Sequence, residues 1–317
     1  MQKLDKNKFM EVEIPVPWGH VAGKWYGPAD IRPILMIHGC LDNAGTWDTL
    51  IPLLPKDGIS YLAIDLPGHG FSSHIPEGMI YSHFDYIWLI HRIRKIYNWP
   101  KVSLIGHCLG AILSFLYAGI FPKNVDMVIN LDGMIPSTNP SILINRMKSG
   151  LHSSLIITSS LISHHLISKS QPTYFKEELV ERMIASSYNS LSPADCEYLF
   201  RRGIKKSSRE PNKFTLRSDA RVRMLDVIAH SQEDYHTLAR EIQCPILYIS
   251  ADFRDTPRSR KFNENQKTIE EFMEENTPLF EYQEVSGKHH VHLTHPERVS
   301  GLITKFILKC RAPKSKI

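Results

Sequence analysis

The segment KVSLIGHCLGAILSFLYAGI, from Lys101 to Ile120, joins a short apolar run to a helical pattern through a glycine-containing turn. The run Val102–Ile105 predicts a buried strand, and the residues after Gly110 predict a helix. The turn Gly106-His107-Cys108-Leu109-Gly110 has the G-x-S-x-G form of a nucleophile elbow, with cysteine at the middle position. Glycines two residues before and after that position allow a strained backbone to pack closely against its neighbours.

Two interpretations of Cys108 follow from this turn. In the first, Cys108 is a nucleophile at the end of a central strand, and the Leu109 N–H helps to stabilise an oxyanion. In the second, it is a buried structural cysteine, whose pKa would be raised. A nucleophilic cysteine beside a histidine and at a helix N-terminus would instead have a lowered pKa and react fast with alkylating agents.

Buried strands and helices alternate on both sides of this segment. Residues Glu11–Val16 and His20–Tyr26 predict an antiparallel hairpin. Further strands are predicted at Pro33–Ile37, Ile59–Leu66, Val125–Leu131, Pro245–Ser250 and Leu279–Val285. Helices are predicted at Trp47–Leu54, Tyr81–Tyr97 and Pro296–Lys309. The alternation predicts an α/β fold, with a mostly parallel sheet covered by helices on both faces.

Between residues 134 and 228 the strand-like runs disappear and helical segments replace them. The sequence therefore predicts a core domain formed by residues 1–133 and 229–317, with residues 134–228 inserted as a helical cap. Within the cap, Ser149–Ser168 contains no Asp, Glu, Lys or Arg. This stretch could offer Leu and Ile side chains to an apolar substrate or a membrane surface, or pack on the main domain.

A thiol nucleophile requires a base, and the base requires an orienting carboxylate, in the chain order nucleophile, acid, histidine. His289 is the first histidine after Gly287, on the loop that follows the last predicted strand. The preferred acid is Asp255, which lies farther from the end of the preceding strand than Asp252, the second choice. Asp132, which follows the strand after the elbow helix, is the third.

A second contribution to an oxyanion hole is predicted after the third strand, which ends in His38-Gly39-Cys40. A His-Gly step at this point of the architecture usually supplies the N–H of the next residue, so Cys40 would complement Leu109.

Several histidines cluster near His289, and they raise the question of a metal site. These are His290, His292 and His295. No Asp, Glu or Cys joins them at a helical ligand spacing, so the sequence predicts neither a metal site nor a cofactor.

Composition narrows the class of protein and its partners. The 317 residues carry 38 Lys or Arg and 33 Asp or Glu, a net charge of +5 that does not imply a nucleic-acid partner. No apolar run is long enough for a membrane span, and the N-terminus lacks the pattern of a signal peptide. Five widely spaced cysteines predict free thiols in a reducing compartment.

The last three residues, Ser315-Lys316-Ile317, differ only in the final side chain from the Ser-Lys-Leu signal that directs proteins to peroxisomes. They are interpreted either as such a signal or as a frayed basic tail.

Together these features make the chain resemble an α/β-hydrolase, and particular motifs extend the resemblance. They are Val16-Pro17-Trp18-Gly19-His20, Leu41-Asp42-Asn43-Ala44, Gly68-His69-Gly70, Arg202-Gly203, Ser218-Asp219-Ala220-Arg221 and Gly287-Lys288-His289. The chain resembles the serine hydrolase-like (kraken-type) proteins over nearly its whole length. That family has serine where this chain has Cys108.

The resemblance implies a metal-independent hydrolase of carboxylic esters or thioesters that resides in peroxisomes or the cytosol. With the site residues above, we expect Cys108 to attack a small, apolar acyl substrate. Two alternatives stay open: an acyltransferase, in which the acyl group passes to another nucleophile, and a catalytically impaired hydrolase fold that only binds its ligand.

Overall fold

The computed structural model describes residues 9–135, 172–224, 231–252, 269–277 and 279–311, with the isolated positions 148 and 267. Its strands, in chain order, are β1 (Phe9–Val16), β2 (Gly19–Tyr26), β3 (Ile34–Ile37), β4 (Tyr61–Ile64), β5 (Val102–His107), β6 (Val125–Leu131), β7 (Ile204–Lys206), β8 (Phe214–Leu216), β9 (Ile246–Ala251) and β10 (Phe280–Val285). Eight of these described strands form one sheet in the order β1-β2-β4-β3-β5-β6-β9-β10.

Strand β2 pairs antiparallel with both β1 and β4, whereas every other pair in this sheet is parallel. Both faces are covered, since Leu35 and Leu104 belong to one buried apolar cluster and Met36 and Ile105 to another. The predicted α/β-hydrolase class, with a mostly parallel sheet between helices, is therefore confirmed. Because parallel strands end at one edge, the loops after β3, β5, β6 and β10 meet there.

The α-helices whose two ends fall among the described residues are α1 (His83–Ile96), α2 (Leu109–Ile120), α3 (Lys176–Ser186), α4 (Pro193–Gly203), α5 (Gln232–Glu241), α6 (Val291–Thr294) and α7 (Glu297–Arg311). Helix α1 begins where Ser82 and Asp85 form a reciprocal capping box. The predicted helix Trp47–Leu54 is wrong: the structure has two 3₁₀ turns, Ala44–Trp47 and Ile51–Leu53. Pro52 contributes to the difference, because it lacks the N–H that a longer helix through this region would need.

Residues 172–224 contain α3, α4 and a hairpin in which β7 pairs antiparallel with β8. This part of the predicted cap is therefore not purely helical. The hairpin strands have only three residues each, which is too short to give an alternating pattern. Ser149–Ser168 lies outside the described residues, and the limits of the cap at 134 and 228 stay a prediction.

Helix α4 is fixed to the loop that follows β3. A Cβ atom at Gly45 would lie 2.4 Å from the carbonyl oxygen of Tyr198, so only glycine permits this approach. The Asn43 side chain donates to the carbonyl of Leu199 at 2.9 Å. These contacts hold the loop after β3 against α4.

An ion-pair network holds the same helix to the sheet. The Nε of Arg202 lies 2.9 Å from Oδ2 of Asp65, and its Nη1 lies 2.5 Å from Oε1 of Glu11. Asp65 is fully buried and also accepts from the Ala44 N–H at 2.8 Å. Arg202 therefore neutralises a buried carboxylate that organises the loop after β3.

The described helices include none with the length and apolar composition of a bilayer-spanning segment. All five cysteines lie in the described ranges and are free thiols. Ser315–Ile317 lies outside these ranges, so the peroxisomal address stays a prediction.

Replacing Arg202 with Met should lower the free energy of unfolding by about 3–5 kcal/mol, because it leaves the Asp65 charge buried and unpaired. The adjacent Arg201 is a matched control, since its side chain is 62% exposed and lies 3.7 Å from Asp48. Arg201→Met should cost less than about 1 kcal/mol. Urea unfolding of both variants measures the difference, and equal losses would contradict this role of Arg202.

Candidate active site

Cys108 lies in a strained turn between β5 and α2, with φ of 49° and ψ of −108°. A Cβ atom at Gly106 would lie 2.2 Å from the Gly110 carbonyl oxygen, and one at Gly110 would lie 1.9 Å from the Ile37 carbonyl oxygen. Both positions therefore require glycine. The close packing holds Cys108 at the carboxyl edge of the sheet, with its residue partly exposed.

The carboxylate of Asp132 connects the neighbouring strands to His289. Asp132 follows β6, and its Oδ1 accepts from the Ala251 N–H at 2.9 Å. Its Oδ2 lies 2.5 Å from Nδ1 of His289, and both side chains are buried. Because an ionised carboxylate only accepts hydrogen bonds, His289 donates through Nδ1, and Nε2 is its basic nitrogen.

The three predicted acids differ in whether the structure describes them and in the hydrogen bonds that they form. Asp255, the preferred choice, lies outside the described residues. Asp252 is exposed, and its backbone N–H bonds to the Val285 carbonyl at 2.9 Å. Among the acids that the structure describes, Asp132, the third choice, forms a hydrogen bond with His289. The sheet order explains this placement, since β6 lies between β5 and β9 and therefore nearer to Cys108.

The two predicted oxyanion donors belong to two different segments, the start of α2 and the chain after β3. Leu109 is the first residue of α2, so its N–H has no intrahelical acceptor. Cys40 is exposed and follows Gly39, whose Cβ position would lie 3.3 Å from the Cβ of Cys108. The chain after β3 thus passes directly beside Cys108.

Two buried histidines fix the conformation of that chain. His38 accepts from the Leu66 N–H through Nε2 at 2.9 Å, and therefore donates through Nδ1 to the Gly39 carbonyl at 2.7 Å. His69 accepts from the Leu41 N–H through Nε2 at 3.2 Å. Burial lowers the pKa of His38 to about 4 and that of His69 to about 3. Both rings are therefore neutral at physiological pH, as their acceptor roles require.

The environment of Cys108 favours its neutral thiol. Burial raises the pKa of this thiol far above its usual range, and Cys40 and the carboxylates of Asp42 and Asp132 act in the same direction. The Leu109 N–H opposes them with a smaller effect. The prediction of a lowered pKa for a nucleophilic Cys108 is therefore wrong. The effect of burial, which raises the pKa, is larger than the effect of the N–H at the start of α2, which lowers it.

Residues that the sequence did not assign to the site also lie beside His289. His107 donates through Nε2 to the His289 carbonyl at 2.8 Å, and its Nδ1 lies 3.6 Å from Asp42. The Tyr188 ring meets the His289 ring edge-on at 5.2 Å between centroids. His107 and Asp42 belong to sequence motifs quoted above, and these motifs could have indicated that both residues lie near the site. Tyr188 follows α3, and no sequence motif indicated that it lies near the site.

A family model described as alpha/beta hydrolase fold matches residues 32–152. A Drosophila melanogaster protein named "Probable serine hydrolase" is 36% identical over 311 residues, which cover 97% of this chain and 90% of that protein. The human "Serine hydrolase-like protein 2" is 30% identical over 94% of this chain and 93% of its own length. A solved structure of a hypothetical protein from Pseudomonas aeruginosa PAO1 has a TM-score of 0.74 at 29% identity, covering 94% of this chain and 99% of that chain.

Alkylation of Cys108 by iodoacetamide should be slow at neutral pH, because its raised pKa leaves little thiolate. The rate should continue to rise beyond about pH 9, where an ordinary thiol with a pKa of about 8.5 approaches its plateau. Peptide mapping by mass spectrometry gives the rate at Cys108, with the unfolded protein as the reference. A plateau below about pH 8 would instead indicate a lowered pKa.

Proposed function

We propose that this chain, which belongs to the serine hydrolase-like family of α/β-hydrolases, hydrolyses carboxylic esters or thioesters with Cys108 as its nucleophile. The chain is a hydrolase by its family; the nucleophile and the substrate class are the proposal. The observation that carries it is the hydrogen bond from His289 Nδ1 to Asp132, which follows the strand paired with β5, the strand that leads into the elbow-like turn of Cys108.

The proposed reaction begins with transfer of the Cys108 thiol proton to Nε2 of His289. The sulfur then forms a bond to the acyl carbon, and the carbonyl oxygen becomes an oxyanion that accepts from the N–H groups of Cys40 and Leu109. The leaving alkoxide or thiolate takes the proton from His289. Water then gives a proton to His289 and attacks the thioester, which releases the acid and restores the Cys108 thiol.

Asp132 has two effects in this scheme. Its hydrogen bond keeps the Nδ1 proton in place, so that Nε2 is the nitrogen that accepts from the nucleophile. Its negative charge also stabilises the imidazolium that forms when His289 takes the thiol proton. The Ala251 N–H holds the second oxygen of the carboxylate, which restricts its rotation.

A neutral resting thiol is compatible with this chemistry. A serine hydroxyl is also protonated at rest and loses its proton to histidine during attack. In an environment that raises its pKa, Cys108 depends on His289 in the same way. The proposed enzyme is thus a hydrolase of serine type that carries a thiol.

We propose an apolar acyl group, because the predicted cap contains the uncharged stretch Ser149–Ser168. Tyr188 adds an aromatic edge over His289, which would suit an apolar chain near the reacting carbonyl.

The raised pKa of Cys108 also favours a second candidate, a protein that binds an acyl ligand without turning it over. In that case the His289–Asp132 pair persists, while the Cys108 thiol reacts too slowly with a bound ester for turnover. The two candidates differ in one observable, a covalent acyl group on Cys108.

Exposure to a panel of activated esters and thioesters should give an acyl adduct on Cys108, seen as a mass shift of the intact protein. Cys108→Ser should keep or increase hydrolysis, because the base and the oxyanion donors are unchanged. Cys108→Ala should abolish both the adduct and hydrolysis. If the wild type forms no adduct and hydrolyses no better than Cys108→Ala, while Cys108→Ser is active, the binding candidate replaces the hydrolase.

Asp132→Asn should lower turnover by about 10⁴-fold, because the amide favours the wrong tautomer of His289. Asp252→Asn is the matched control and should change turnover less than about twofold, as an exposed acid outside the hydrogen bond. Turnover of an activated ester is compared at equal folded concentration, checked by urea unfolding. A large loss in Asp255→Asn with normal turnover in Asp132→Asn would transfer the role to Asp255.

A further inference from the structure

Three buried side chains beside the proposed catalytic residues direct metal-ligand atoms at one point. They are Asp42, His107 and His290, and their ligand atoms lie within 4.8 Å of one another. His107 precedes Cys108, and His290 follows His289. Histidine and carboxylate in this combination are ordinary ligands of divalent transition metals.

The proton on His107 is fixed on the side away from the cluster. Its Nε2 lies 2.8 Å from the His289 carbonyl oxygen, which only accepts, so Nε2 carries the hydrogen. Its Nδ1 lone pair therefore faces the cluster, and within the described part of the chain this buried atom has no hydrogen-bond partner.

The proton on His290 is fixed by a hydroxyl on its outer side. Ser190 donates its own proton to the Ser187 carbonyl, so its oxygen accepts from Nδ1 of His290 at 2.6 Å. The opposite nitrogen, Nε2, then faces the two oxygens of Asp42 at 3.4 and 3.3 Å. A ring oriented by a hydrogen bond on its outer nitrogen is the usual arrangement of a metal-binding histidine.

One proton does not satisfy this arrangement. A proton on Nε2 of His290 would pair with Asp42, but it would leave Nδ1 of His107 without a donor. A cation at the centre would interact with all three atoms. Ligands at about 2.0–2.1 Å from a tetrahedral Zn²⁺ lie about 3.3–3.5 Å apart. The separations from Asp42 Oδ2 are close to this, 3.3 Å to His290 Nε2 and 3.6 Å to His107 Nδ1.

We propose that Asp42, His107 and His290 form a binding site for one divalent transition-metal ion of the Zn²⁺ class. The His289 carbonyl and Ser190 orient the two imidazoles from outside. Helical spacing could not indicate this site, because Asp42 and His290 lie on the loops after β3 and β10, and His107 is the last residue of β5. The site is independent of the proposed hydrolase activity, since binding is measured without substrate.

Binding is tested on the full-length protein after removal of metals by chelator dialysis. Zn²⁺ should bind with a stoichiometry of one ion per chain by elemental analysis and should raise the thermal midpoint, since it binds the folded state. X-ray absorption of the Zn²⁺-loaded wild type should give only nitrogen and oxygen ligands, at about 2.0–2.2 Å. A sulfur ligand at about 2.3 Å would place the ion on a cysteine and overturn the proposal.

Variants separate this site from ordinary surface binding. Asp42→Asn and His290→Gln should each weaken Zn²⁺ binding by about 100-fold or more, since even loss of an outer partner typically costs about 10- to 100-fold. Ser190→Ala should weaken it about 10-fold by releasing the His290 ring. The matched control is His295→Gln, which removes an exposed histidine of the same segment and should bind as the wild type does.

Absence of a stoichiometric ion in the wild type would overturn the proposal, as would unchanged affinity in both Asp42→Asn and His290→Gln. Loss of binding in His295→Gln would assign the ion to the surface instead. If the two buried variants fail to fold, Ser190→Ala and the wild-type X-ray absorption decide the question.

Discussion

The carboxylate of Asp132 depends on two partners that belong to different parts of the chain. One oxygen accepts from the Ala251 N–H at the end of β9, and the other from His289 on the loop after β10. Asp132 itself follows β6 with a positive φ of 48°, which turns its side chain out of the strand path. The orientation of the histidine therefore depends on the alignment of three neighbouring strands, and the parallel sheet makes that alignment rigid.

The thiol of Cys108 has a raised pKa, unlike the thiolate of a typical cysteine enzyme. The helix N-terminus at Leu109 lowers the pKa of Cys108, but burial and the nearby acids raise it by more. Negative charge from Asp132 is useful when the attacking group is neutral and the charge to be stabilised is on His289. The same charge works against a preformed thiolate. The electrostatics thus suit a hydroxyl-like nucleophile that loses its proton only during attack.

The sheet could be predicted from the sequence because strands buried on both faces are continuous apolar runs, as at Pro33–Ile37. The turn at Cys108 could also be predicted, because the spacing of Gly106 and Gly110 is a local feature of the sequence. The hydrogen bond between Asp132 and His289 could not be predicted, because Asp132, Asp252 and Asp255 all follow strands in the sequence, which does not give the spatial order of β6 and β9. The β7–β8 hairpin was missed because its strands are too short for a periodic signal.

The loop after β10 shows how one short segment can serve several purposes. His289 pairs with Asp132, His290 faces Asp42, and Nε2 of His292 lies 2.8 Å from the Thr46 hydroxyl. Each ring has a different partner because the loop crosses the ends of several strands. His107 joins two of these environments, since its ring faces Asp42 while its Nε2–H holds the His289 carbonyl. An ion that immobilised His107 and His290 would therefore also restrict the backbone that carries the proposed catalytic base.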